Sequence, residues 1–319
     1  MRHRSHGWSW LPAIVVVGAL GLAFVGCSGK TGMPTGPLSS GSLEKGMASP
    51  AERPELKPPD QVTYCQTFVP FAEARFSHPR RIDNPWSPLL PGTQYVLTGQ
   101  ANRGLGLLPH DVVFTVTDVI KEINGIECAV LWDRDFQDGI LAEAELAFMA
   151  QDDAGNIWMM GEYPEEYDIV SGGFQGAPST WIAGIESAEP GTLMLADPEH
   201  GTGYYLQARV PAIRFLDCGK VFKTGQKDCV PVGCYSDVLV IDERGPLEQN
   251  SGHQRKSYAQ GAGNIRVDFV GDTEGEVLVQ SRRSQLNAAE LAEARAEVLR
   301  LDARGYQYND VYAQTVRAR

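Results

Sequence analysis

Eleven carboxylates fall between Asp133 and Asp168, with Arg134 the one basic residue among them. Asp133 and Asp135, or Glu143 and Glu145, are the residue types that glycoside hydrolysis uses, one as acid and one as nucleophile or base. The spacing singles out no pair. Glu143 and Glu145 alternate with apolar residues in "ILAEAELAFMA", which reads as the solvent face of a strand. The run "DRDFQDG" has the closely spaced oxygens and the Gly of a calcium loop. Its alternate-residue spacing stops after Asp135, and Ala144 stands where the twelfth-position Glu belongs. A hairpin turn at Asp138-Gly139 accounts for the same residues without a metal. Met159 and Met160 are adjacent in a strand-like run, so they point to opposite faces and cannot chelate copper together. His78, His110, His200 and His253 sit in Gly- or Pro-flanked contexts and read as solvated loop residues. The serine-hydrolase elbow, the H-E-x-x-H zinc motif and the phosphate loop do not occur. No catalytic residue, metal ligand or cofactor is assigned.

The cysteines carry a different chemistry. Arg2, His3, Arg4 and His6 precede an apolar run from Ala13 to Val25. Thirteen residues are too few for a bilayer span, which needs about 20, and fit a signal-peptide core. Val25-Gly26-Cys27 closes the run and resembles the lipobox of bacterial lipoproteins, with Phe24 where that pattern usually has Leu. The resemblance implies that residues 1–26 are a leader and that Cys27 becomes an acylated, palmitate-bearing N-terminus. Two or more acyl chains make a stable anchor. Ser28 rather than Asp after Cys27 points to the outer membrane in an organism that has one. Cys65, Cys128, Cys218, Cys229 and Cys234 remain, and an exported compartment permits disulfides. Cys218 and Cys229 flank a turn signal at Thr224-Gly225 and are expected to bridge. Cys65 with Cys234 is the second expected pair, which leaves Cys128 buried in a strand. The nearest spacing, Cys229-x4-Cys234, has no His beside it and does not suit zinc.

Loss of the leader removes Arg2 and Arg4 and no acid, which takes the net charge from −12 to −14. Such a balance excludes nucleic acid as a partner, since basic patches drive that binding. Residues 27–62 read as a disordered tether. Between Ser28 and Asp60, 16 of 33 residues are Gly, Pro or Ser, with no apolar period to bury.

These residues need elements to position them, and the pattern supplies strands. Val112, Phe114 and Val116 alternate with Val113, Thr115 and Thr117, the period-2 signature of a half-buried strand. Asn124-Gly125 accepts positive φ at both positions and predicts a tight hairpin. Asp138-Gly139 and "QDDAG" predict the next two turns, so the first strands form an antiparallel meander. A second β-rich block spans 203–282, and 171–202, rich in Gly, Pro and Ser, reads as a long loop over the sheet. "FMAQDDAGNIWMMGE" (148–162) echoes "YAQGAGNIRVDFVGD" (258–272), which suggests two hairpins placed equivalently in two halves. Asn287 and Glu290 form a capping box, and Leu286 and Leu291 a hydrophobic staple. Leu291, Ala294, Val298 and Leu301 make one apolar stripe, with Gly305 as the residue after the helix end. Pro85, Pro88 and Pro91 stiffen the segment before the first strand, where Trp86 and Leu89 are expected to plug one end of the β structure.

"RIDNPWSPLLPGTQYVLTG" (81–99) resembles the opening of a set of secreted bacterial proteins of unknown function. In that family an I-x-N-P-aromatic-x-P-L-x-P-G-T stretch starts the domain. The likeness continues through "NGIECAVLWD", "AEPGTLM", "VPVGCYSDVLV" and the terminal "AAELAEARAEVLRLDARGYQYNDVYAQT", covering nearly all of 81–314. Family members have Tyr-Phe at Trp86-Ser87 and mostly lack Cys218, Cys229 and Cys234. The resemblance implies no reaction and supplies no catalytic residues.

The sequence therefore predicts a mainly β fold, an antiparallel meander sheet forming a sandwich or open barrel over 63–282. Residues 283–319 are a C-terminal helix and tail packed on it. The expected function is that of a lipid-anchored envelope protein facing away from the cytoplasm. It is held to the membrane through Cys27 and is non-enzymatic, with an apolar small molecule or an envelope protein as partner. An envelope hydrolase working through carboxylates and a calcium-supported adhesion module are the alternatives.

Overall fold

The computed structural model describes residues 65–247, 252–271 and 274–319. Residues 1–26, Cys27 and the tether to residue 62 lie outside them. Pairs of turn residues that tolerate positive φ set the strand lengths. Asn124 (φ 51°) and Gly125 (φ 76°) join β2 (Leu107–Ile123) to β3 (Ile126–Gln137), as the dipeptide predicts. Asp138 (φ 50°) and Gly139 (φ 79°) join β3 to β4 (Ile140–Gln151), so these residues turn a hairpin. β1 (Thr93–Asn102) precedes this meander and β5 (Ile157–Tyr167) ends it. Between 171 and 202, where a loop is expected, the chain forms β6 (Phe174–Gly176), β7 (Trp181–Ile182) and β8 (Glu189–Met194). β8 is short and holds Pro190 and Gly191, residues that weaken a strand's signature. The second block holds β9 (Tyr205–Val210), β10 (Phe215–Val230), β11 (Gly233–Arg244), β12 (His253–Ala259), β13 (Gly263–Val270) and β14 (Val277–Gln285).

Among the described strands every pairing is antiparallel, and the order is β4-β3-β2-β1-β14-β13-β12-β11-β10-β9-β8-β5, with β4 also paired to β5. The sheet therefore closes into a barrel, neither a sandwich nor an open one, and only β6 and β7 hang from β5 outside the ring. The ring consists of two meanders of six strands, β1–β5 with β8, and β9–β14. Moving six places round it carries β4 onto β12 and β5 onto β13, which are the two hairpins that echo each other in sequence. The long hairpin β2/β3 maps in the same way onto the long hairpin β10/β11.

The apolar side chains fill the inside of this ring. On the outside of the second half, Lys220, Asp242, Arg255 and Asp268 are direct cross-strand neighbours in one row over β10–β13. Opposite charges in such a row support one another. A lipid-facing barrel has an apolar outer band, and this charged row is not one.

Helix α1 (Ala288–Tyr308) starts at the predicted capping box. Asn287 Oδ1 accepts from the Ala289 and Glu290 amides, and Glu290 Oε2 accepts from the Asn287 amide at 2.8 Å. Ala294, Val298 and Leu301 are buried, and Val298 and Leu301 join the main core, so the stripe docks on the chain's own barrel. Lys121 of β2 is buried and donates to Asp302 Oδ1 and Tyr306 Oη of the helix, each at 2.8 Å. Arg304 reaches Glu165 of β5 at 3.0 Å. Gly305 does not end the helix. It lies inside it, where a Cβ would collide with the Tyr312 ring of the returning tail. That tail covers the outer side of β4 and β5 through Tyr312, Phe148 and Tyr163.

The disulfides join Cys65 to Cys218 and Cys229 to Cys234, and Cys128 is free and buried in β3. The four candidates are thus all bonded, but with partners exchanged. Thr224-Gly225 is no hairpin turn. Gly225 (φ 64°) sits at an irregularity inside β10, which runs on through both Cys218 and Cys229. Eleven residues of strand span about 36 Å, far beyond the roughly 4.4–6.8 Å between disulfide Cα atoms. Cys229 instead lies directly opposite Cys234 across the real turn, and Cys65 reaches Cys218 with Cα atoms 5.7 Å apart.

Candidate functional site: a carboxylate-lined cavity in the barrel

Alternation along a closed barrel sends every second side chain inward. On β3 these are Leu131, Asp133, Asp135 and Gln137, and on β4 they include Glu143, Glu145, Ala147 and Met149. The strand register sets Asp133 directly opposite Glu145, and Asp135 opposite Glu143. It continues the row onto β5, where Glu143 faces Glu166 and Ala147 faces Glu162. Glu143 and Glu145 are each 3 % exposed, so the reading of them as a solvent face is overturned. The physical reason is that β4 is covered on both sides, by the lumen inside and by α1 and its tail outside. A strand with two buried faces has no solvent side for its polar residues to mark.

Leu131, Asp133, Glu145, Ala147, Met149 and Glu162 from these strands line a cavity of about 130 Å³ inside the barrel. Its lining includes the apolar Leu97, Val112, Leu131, Met149, Met159 and Val267. Asp133, Glu145, Glu162, Asp217 and Glu243 share it with one cation, Lys256. Ser87, Pro88 and Leu89 of the proline-rich opening segment also line the cavity, so Leu89 closes one end as expected. Tyr95 Oη donates to the Pro88 carbonyl at 2.8 Å, and the Gly261 amide donates to the Pro85 carbonyl at 2.7 Å. Asn84 ties the same segment to the barrel, donating to the Gly155 and Leu195 carbonyls. Trp86 is half-buried against the core, and no ring in the described residues stacks on it as a ligand would.

A second charged layer lies one residue pair deeper, and it is better matched. Arg103 reaches Asp135 at 2.6 Å. His110, fully buried in β2, has Nε2 3.1 Å from Glu276 and 3.7 Å from Asp135. The reading of His110 as a solvated loop residue is therefore wrong, since the Pro109 beside it is taken into the strand. His253 starts β12 beside Asp242, whereas His78 and His200 are exposed in turns. Gln254 donates to Glu276 at 2.6 Å.

In the cavity layer Lys256 is held 2.6 Å from Glu243. Burial disfavours its charge, but Glu243 and the other carboxylates outweigh that and hold its pKa above the usual lysine range. Asp133 Oδ1 and Glu145 Oε2 accept no hydrogen bond, and neither does Glu143 Oε2 behind them. Burial, and then the neighbouring carboxylates, push all three acids well above the ordinary carboxylate range. Glu162 is pushed up to about 7 by burial, although Trp181 Nε1 donates to it at 3.0 Å. Acid–base catalysis by a carboxyl pair needs two environments that separate the members, one protonated and one ionised. Here the facing pair Asp133 and Glu145 moves in the same direction. The cavity is also well below the 300–1,000 Å³ of ordinary ligand clefts, too small for a glycan. Among the described residues no three His, Cys, Asp or Glu converge as metal ligands would. Met159 lines the cavity while Met160 is buried away from it.

Of the sequence-predicted positions, Cys27 lies outside the described residues and the four bonded cysteines lie away from the lumen. The residues that build the lumen carried a signal, the acid excess over 133–168, but no spacing showed that they converge. No protein-family model and no curated protein matches the chain. Two solved structures align with 63 % of it at a TM-score of 0.37. One is described as a candidate exported protein with a YmcC-like fold from Bacteroides fragilis, 14 % identical and 99 % covered. The other is described as a candidate lipoprotein from Parabacteroides distasonis, 11 % identical and 100 % covered.

Proposed function

We propose that this chain is a lipid-anchored cell-envelope protein whose barrel holds a small molecule in its lumen, and that it binds rather than transforms it. The observation that carries the reading is the cavity, lined largely by apolar side chains and capped by the proline-rich segment. Folding alone gives no reason to leave such a space, since interiors pack with few voids larger than a water. The same carboxylates that could suggest hydrolysis are buried together and shifted together, which suits holding a ligand better than cleaving one. The lipobox-like Val25-Gly26-Cys27 supports an anchor at Cys27, outward-facing and at the outer membrane where one exists.

Native mass spectrometry of the intact chain released from membranes tests the lumen. The expected result is a small-molecule adduct that disappears when Leu97→Trp fills the cavity. A wild-type spectrum matching that of the filled variant would remove the proposal. The anchor is tested separately with labelled palmitate, which should mark the wild type and leave Cys27→Ser unmarked.

A further inference from the structure

We infer that the molecule held in the lumen is a small organic cation, an ammonium group on an apolar body of about six carbons. The inference rests on the lumen-binding reading above and adds the ligand's charge. Five carboxyls line the cavity against one ammonium, and Glu243 already engages that ammonium. Asp133 and Glu145, each 3 % exposed and opposite one another on neighbouring strands, keep an oxygen without a hydrogen-bond donor. Two buried carboxyls facing one another cannot both ionise without a cation beside them, and acceptors left without donors there are costly. An ammonium supplies what is missing: one positive charge, and N–H donors for the open oxygens of Asp133 and Glu145.

The apolar part of the lining sets the rest of the ligand. Leu89, Leu97, Met149 and Met159 offer no hydrogen bond and would cover a hydrocarbon. The volume of about 130 Å³ is close to that of the roughly 150 Å³ engineered cavity that takes up benzene, so the body is about that size. A bare metal ion fits poorly, because most of the lining is apolar and no ligand set converges among the described residues.

Isothermal titration of the intact chain in mild detergent tests the inference, with Leu97→Trp as the blank for uptake by micelles. The probes are hexylamine, 1-hexanol and calcium chloride. The expected result is hexylamine binding roughly tenfold or more tighter than hexanol, the scale of one charge-assisted hydrogen bond. Glu145→Gln and Asp133→Asn should each erase most of that preference. Equal binding of amine and alcohol, or a preference that survives both substitutions, overturns the cation and leaves the lumen reading standing. Calcium displacing hexylamine also overturns it. No binding of either organic probe removes the lumen reading, and this inference with it.

Discussion

Glu162 places one side chain between two influences, the Trp181 indole that stabilises its charge and a barrel interior that opposes it. Burial prevails, and the group titrates at about 7 instead of near 4.5. A carboxyl raised in the folded state favours the fold fully below its unfolded pKa, and loses that contribution as pH climbs through the folded value. The barrel should therefore become less stable between about pH 4.5 and 7, by on the order of 3 kcal/mol from Glu162 alone. Asp133, Glu143 and Glu145 are shifted in the same direction and extend the decline upward. Urea unfolding at pH 5 and pH 8 should show this loss, and Glu162→Gln should flatten it. Equal slopes in the two proteins would mean that Glu162 is not held as described. The carboxylate excess at 133–168 is plain from residue types alone. Its inward direction is not, because alternation gives two faces and does not say which one is dry.

At the scale of the element, α1 shows both sides of the same limit. Its start was legible because a capping box is a local arrangement of Asn287 and Glu290 that needs no other part of the chain. Its end was misread, since Gly305 commonly marks a helix terminus yet here makes room for the Tyr312 ring. In an exposed helix interior Gly→Ala gains about 1 kcal/mol. Gly305→Ala should do the opposite and lower the thermal midpoint, because the added methyl meets a ring held by Asp302 at 2.8 Å. Calorimetry of the single variant and of Gly305→Ala with Tyr312→Leu separates the two effects. Relief in the double variant is the expected result. β10 carries the same lesson, since a Thr-Gly signal that turns many chains is absorbed here as a bulge in a 16-residue strand.

For the molecule as a whole, closure is the governing fact. The Cys65–Cys218 bond ties the start of the described chain to β10 across 153 residues, whereas Cys229–Cys234 spans 5. Loop-closure entropy gives about 5 kcal/mol for the first and about 2 for the second. Replacing Cys65 and Cys218 by Ser should therefore lower the urea midpoint more than replacing Cys229 and Cys234. The reverse order would mean that native-state effects outweigh the entropy of the unfolded chain.

The chain's own order of residues determined most of the strands and turns, the capped start of the helix and the echo between two hairpins. All of these arise from neighbours within a few positions, where sterics and hydrogen bonding act without distant help. The closing pair β4–β5, the exchange of disulfide partners and the meeting of Asp133, Glu145, Glu162 and Lys256 were decided only in three dimensions. Each depends on strands brought together round a ring, and the free energy that selects the ring is burial summed over the whole interior.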